Sequence, residues 1–137
     1  MLDRLRSFCA ARDDIRAALV FGSAASGTAG PLSDVDVAVL LPDEWNASRR
    51  VALQGELADR LSAALGVTRV DVVVLNDAAP ALAYRATWDG LVAWGADDPA
   101  LGHAKVRAFS EYQDFVPVLD ELGRALRERI DDGSFGR

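Results

Sequence analysis

Cysteine is nearly absent. Cys9 is the single copy in 137 residues, so no disulfide can close within the chain and no cysteine metal centre can form. It shares a helical apolar face with Leu2, Leu5 and Phe8, where a small core residue is the expectation. Histidine is equally scarce: His103 stands alone without catalytic context and reads as a surface or helix-start residue. Positive charge is in deficit, with 15 Lys and Arg against 21 Asp and Glu, a net charge of -6 and a pI near 4.7. A surface able to neutralise nucleic-acid phosphates along its length is therefore not expected. No apolar run reaches membrane-spanning length. The basic residues near the N-terminus are not followed by a long apolar segment, so no signal peptide is expected and the cytoplasm is the expected compartment.

What is present suits one globular domain. Half of the residues are hydrophobic, and 137 residues can enclose a sizeable core but would crowd two. The pattern predicts a helix from about Leu2 to Arg12, a strand from Ile15 to Phe21, a short helix at Ala24 to Ser26 and a strand from Asp34 to Leu41. A helix from about Ala47 to Leu65 follows, with Leu53, Leu57, Leu61 and Leu65 as its buried stripe and Gly66 as its stop. A strand from Arg69 to Leu75, a helix from Pro80 to about Trp88 and a strand from Leu91 to Trp94 complete the body. Alternating strands and helices indicate a mixed α/β sheet with helices packed on it.

The chemistry concentrates between Val20 and Leu41. Successive side chains of a strand point to opposite faces, so Asp34 and Asp36 share one, about 7 Å apart at Cα level. Two carboxylates that close suit a hard cation such as Mg2+, which takes carboxylate and phosphate oxygens together. Gly22 permits close approach of backbone to a phosphate, and Ser23 is expected to cap the short helix, whose free N–H groups favour an anion. Asp71 lies in an otherwise apolar strand, where an unpaired carboxylate is expensive. Its two readings are a metal shared with Asp34 and Asp36 and an ion pair with Arg69 on the same face; the metal is preferred.

The run Gly22-Ser23, ten residues, then Asp34-Val35-Asp36, with Asp71 on the next strand, resembles the signature of the polymerase-beta-like nucleotidyltransferase superfamily. The short chain is similar to the minimal nucleotidyltransferases, specifically the antitoxin of HEPN/minimal-nucleotidyltransferase pairs. The likeness runs from about Ile15 to Phe115, with its specific motifs in Phe21 to Val39 and Val70 to Leu75. It implies a polymerase-beta-like fold in a single domain, 1–137, with a catalytic core at 1–101 and a C-terminal helical segment at 102–132. It further implies transfer of AMP from ATP, dependent on two Mg2+ ions, to a tyrosine hydroxyl of a cognate HEPN ribonuclease toxin held in a hetero-oligomer. Asp34, Asp36 and Asp71 are then the catalytic and metal-holding residues, and Gly22, Ser23 and Ser33 contact nucleotide. Lys105 and Arg107 open the last helical pattern, where they can either brace a triphosphate or serve as solvated helix charges.

Two alternatives accompany this reading. Many relatives carry arginine in the loop after Gly-Ser, where this chain has Ala24, Ala25 and Ser26, and that departure suits a non-catalytic antitoxin that blocks its toxin by binding. A nucleotidyltransferase acting on a small molecule of the aminoglycoside type is the other, although the chain is short for an added acceptor domain. The C-terminal third bears on the first. From His103 to Ile130 apolar residues recur every three or four positions, including Val106, Phe109, Val116, Leu119, Leu122, Leu126 and Ile130, with Pro117 expected to kink or split the helix. The simplest expectation is that this stripe covers the chain's own sheet; the alternative is that Leu119 to Ile130 projects and packs on a partner helix. Trp45, Trp88 and Trp94 read as core or edge packing, one of them able to flank an adenine ring.

Overall fold

The computed structural model describes residues 1–27 and 34–131. Four strands, β1 (Ala17–Phe21), β2 (Val35–Leu40), β3 (Val70–Val74) and β4 (Leu91–Trp94), form one mixed sheet in the order β3-β2-β1-β4. β1 runs antiparallel to β2 and β4, whereas β2 and β3 are parallel. Helices α1 (Leu2–Ala10), α2 (Ser23–Ser26), α3 (Ala47–Leu65), α4 (Pro80–Asp89) and α5 (Pro99–Asp131) complete the described elements, with a 3-10 turn at Leu75–Asp77.

The sheet is covered on both faces, which is why β1 and β2 read as nearly continuous apolar runs. One face meets α1 and α3: Ala18, Val20, Val37, Val39, Val72 and Val74 pack against Leu5, Cys9, Leu57 and Leu61. The other face meets α4 and α5 through Ala17, Leu19, Phe21, Ala38 and Leu40 against Ala86, Leu101 and Ala104. Leu5, Leu57 and Leu61 have no exposure to solvent, and each such burial contributes about 1.5–3 kcal/mol. The helix α3 spans the expected residues. The Asn46 side chain accepts from the Arg49 N–H at 2.9 Å, and Gly66, with φ +67, closes the far end.

Side chains take up backbone groups on both sheet edges. On β3, Gln54 Nε2 donates to the Val72 carbonyl at 2.7 Å and Ser62 Oγ accepts the Val70 N–H at 3.0 Å. On β4 the register slips between Ala18 and Leu19, leaving Ala93 as an extra residue. Arg6 Nε donates to the Ala93 carbonyl at 3.1 Å.

The helix α5 departs most from expectation. It begins at Pro99 rather than His103 and is continuous through Pro117, so the expected division between residues 101 and 102 falls inside it. Proline leaves the Gln113 carbonyl without its helical donor, but Gln113 and Pro117 are both exposed and water can take that bond. At about 50 Å for 33 residues, α5 outruns the body it packs on. Leu101, Ala104 and Ala108 are buried, and Tyr112 stacks on Tyr84 with ring centroids 4.4 Å apart. Beyond them Val118, Leu119, Leu122, Leu126 and Ile130 are exposed, Leu122 to 56%. The stripe expected to cover the chain's own sheet is exposed in its first half too, at Val106 and Phe109; the face of α5 that meets the sheet carries Leu101 and Ala104 instead. No helix among the described residues is long and apolar enough to cross a membrane.

Candidate active site

Strand directions bring three chain segments to one end of the sheet. The end of β1 lies beside the start of β2, because the two are antiparallel, and the start of β2 lies beside the start of β3, because they are parallel. The register aligns Phe21 with Asp36 and Asp36 with Asp71, a row across strands spaced about 4.8 Å apart. Asp36 and Asp71 therefore share the sheet face of Ala38 and Val73. Asp34 lies immediately before β2, where the Val35 N–H donates to the Arg69 carbonyl at 3.2 Å.

Gly22 joins β1 to this row. Its φ of +70° and ψ of -147° lie where side-chain-bearing residues are strained. A Cβ built on it would stand 2.4 Å from Asp36 Oδ2. The missing side chain thus admits a carboxylate beneath the turn, a close approach that the spacing alone did not reveal. Gly22, not Ser23, is the N-cap of α2, and no side chain caps that helix. Ser23 is its first residue, because the turn needs the glycine backbone at the capping position. Ser33 lies outside the described residues.

The carboxylates differ in their surroundings. Asp36 is pushed above the usual aspartate range, first by burial and then by repulsion from Asp71; Arg85 opposes the shift and Asp34 adds to it. Asp71 is less enclosed than its apolar neighbours suggest. β3 is an edge strand, its carboxylate is 40% exposed, and Arg69 Nη2 lies 3.0 Å from its Oδ1. Arg69 Nε also stands 4.0 Å from Asp34 Oδ2. The ion pair weighed against a metal is thus formed, and desolvation of Asp71 is not a reason to require one. As the side chains stand, no three acidic, histidine or cysteine groups among the described residues close on a metal position; Arg69 draws Asp34 and Asp71 toward itself. The donor set nonetheless fits a hard divalent cation. It is all carboxylate, it faces solvent beside Arg69, and the mutual repulsion that raises Asp36 is what such a cation relieves.

The cations are distributed otherwise than expected. Arg107 lines a cavity of about 220 Å³ with Leu75, Asn76, Asp77 and Glu111, at the end of the sheet opposite the carboxylates. Lys105 Nζ lies 4.4 Å over the Trp88 ring, and its carbonyl accepts from Trp88 Nε1 at 3.1 Å. Arg85, which the sequence reading passed over, has its guanidinium carbon 5.6 Å from the Phe21 ring centroid and acts on Asp36. It carries no local motif; only the crossing of α4 over the end of β1 places it here.

These features define a class. Residues 3–98 match the family described as Polymerase beta, Nucleotidyltransferase, and the chain belongs to it: a nucleotidyltransferase with the polymerase-beta-like fold. Among solved structures it is similar, at 25% identity and a TM-score of 0.71, to a chain of a toxin–antitoxin crystal structure with AMP-PNP, covering 88% of this chain and 97% of that one. It is similar at 25% identity and a TM-score of 0.63 to a chain of the MntA–HepT toxin–antitoxin, covering 88% and 97%. A third likeness, at 23% identity, shows the fold alone. It is to a chain of the structure of a tri-AMPylated Shewanella oneidensis HEPN toxin in complex with MNT antitoxin, with a TM-score of 0.63 and coverage of 89% and 98%. No curated protein matches the chain.

Proposed function

We propose that this chain is an antitoxin that transfers AMP from ATP to a tyrosine hydroxyl of a HEPN ribonuclease toxin, working in the cytoplasm as one domain with a helical C-terminal segment. The observation that carries the reading is the row Phe21, Asp36 and Asp71 beneath the Gly22 turn, in a family whose members transfer nucleotides. Its similarity to chains of toxin–antitoxin complexes, one with AMP-PNP, supports the partner and the donor.

Gly22 and Ser23 seat the phosphates, with the N–H groups of the first turn of α2 available to phosphate oxygens. Asp34, Asp36 and Asp71 would hold Mg2+, which supplies positive charge to the phosphates and to the departing oxygen. Arg69 must release Asp34 and Asp71 for that role. The acceptor oxygen then forms a bond to the α-phosphorus as its bond to the bridging oxygen breaks. Pyrophosphate leaves, and Asp71, on the exposed edge, accepts the acceptor's proton. The product carries a bulky anion where a ribonuclease binds RNA, which opposes its activity by charge and volume.

A second reading, blockade of the toxin by binding alone, draws on the exposed stripe from Val118 to Ile130 and on the arginine-free segment Ala24-Ala25-Ser26. Intact mass spectrometry of a HEPN-type toxin partner after incubation with this protein, ATP and Mg2+ separates the two. The expected result is a mass gain of one or more AMP units that disappears with Asp36→Asn. A stable complex without any gain would replace transfer with blockade.

A further inference from the structure

Arg85 stands at the junction of the two halves of the site. It lies on α4, with its guanidinium carbon 5.6 Å from the ring centroid of Phe21, the residue directly before Gly22 and the register partner of Asp36. Its side chain is exposed, and no carboxylate among the described residues forms an ion pair with it. The two cations expected to meet nucleotide lie elsewhere, Lys105 on the Trp88 face and Arg107 at the far end of the sheet, and Arg69 is paired with Asp71 and Asp34. The loop after Gly22-Ser23 contributes no arginine. A nucleotide triphosphate brought beside three carboxylates needs positive charge beyond the metal.

We infer that Arg85 binds a phosphate group of the incoming nucleotide, delivering from α4 the guanidinium that the loop after Gly22-Ser23 lacks. A planar fork of N–H donors suits phosphate oxygens better than a point charge does. Phe21, buried on the sheet, gives the stem and guanidinium a firm surface, so less side-chain freedom is lost on binding. The inference rests on the nucleotide-transfer reading above.

Calorimetry of the full chain with Mg2+ and AMP-PNP compares wild type, Arg85→Gln and Arg85→Lys, each checked by thermal melting. Arg85→Gln should weaken AMP-PNP about tenfold and raise the KM for ATP, with its melting temperature unchanged because the residue is exposed. Arg85→Lys should recover part of the affinity. Equal affinities for wild type and Arg85→Gln would overturn the assignment and leave the transferase reading standing. A melting temperature that falls in step with affinity would reduce Arg85 to a structural role and overturn it as well. Wild type that fails to bind AMP-PNP overturns both.

Discussion

Gly22→Ala tests the centre of the site with one methyl group. At φ +70° and ψ -147° the backbone occupies a region nearly reserved for glycine, where another residue costs of order 1–3 kcal/mol. For a chain of 137 residues that is a fall in Tm of about 3–10 °C. The added carbon also stands 2.4 Å from Asp36 Oδ2, so the carboxylate must turn away even if the backbone holds. A displacement near 1 Å at a reacting centre costs on the order of a hundredfold in rate. Gly27→Ala is the matched control: φ is +77° with nothing within 4 Å of its new carbon, so about 1–2 kcal/mol of strain comes without a displaced carboxylate. Melting curves and the rate of AMP transfer should show both variants losing stability and only Gly22→Ala losing most of its activity. Wild-type transfer by Gly22→Ala would show that Asp36 does not act from beneath the turn.

Other outcomes follow from charge and burial. Asp36→Asn should raise Tm at pH 7 in metal-free buffer. A carboxylate whose folded value is raised supports the fold fully below its ordinary value of 3.8 and loses that support as pH rises through the raised value. The gain should vanish when both scans are run in acid; an asparagine variant less stable at pH 7 contradicts the burial and repulsion assigned to Asp36. Arg69→Gln should cost less than about 1 kcal/mol in stability, because its ion pairs are exposed. It should also tighten Mg2+ binding in calorimetry, and weaker binding would mean that Arg69 organises the carboxylates rather than competing for them. Cys9 is fully buried and burial pushes its thiol up to about 11, so a thiol reagent should label it only at the rate of unfolding; rapid labelling of the native protein would contradict the packing of α1.

Local periodicity carried much of the fold. The helix expected from Ala47 to Leu65, with its stripe Leu53, Leu57, Leu61 and Leu65, matches α3, and Leu91 to Trp94 coincides with β4. The alternation around Asp34 and Asp36 placed the carboxylates on one face, and the register then brought Asp71 beside Asp36. Strand order lay outside such reasoning, because it depends on pairing between distant segments. Taking Asp71 as deeply enclosed failed for that reason: an apolar neighbourhood in sequence does not distinguish an edge strand from a central one. Arg85 was invisible because the crossing of α4 over β1 brings it to Phe21 across 64 residues. Arg107 shows that position near the start of a helix does not say which end of the sheet that helix faces, since it lines a cavity with Asn76 and Asp77, whereas Lys105 lies over Trp88. The outer half of α5 shows a further limit, as a helical stripe has the same spacing whether its cover is the chain itself or another molecule.

The side chains that occupy the edges at Val70, Val72 and Ala93 shape how this protein can meet others. An open strand edge is a template: each chain that adds to it presents a fresh edge, and growth has no natural end. Here Gln54, Ser62 and Arg6 take up backbone groups on the two outer strands, while Val118, Leu119, Leu122, Leu126 and Ile130 leave an exposed apolar stripe on the outer half of α5. A helix face saturates, because once one surface covers it nothing equivalent is left to offer. Association made through that helix face would therefore end in a finite complex rather than a fibre.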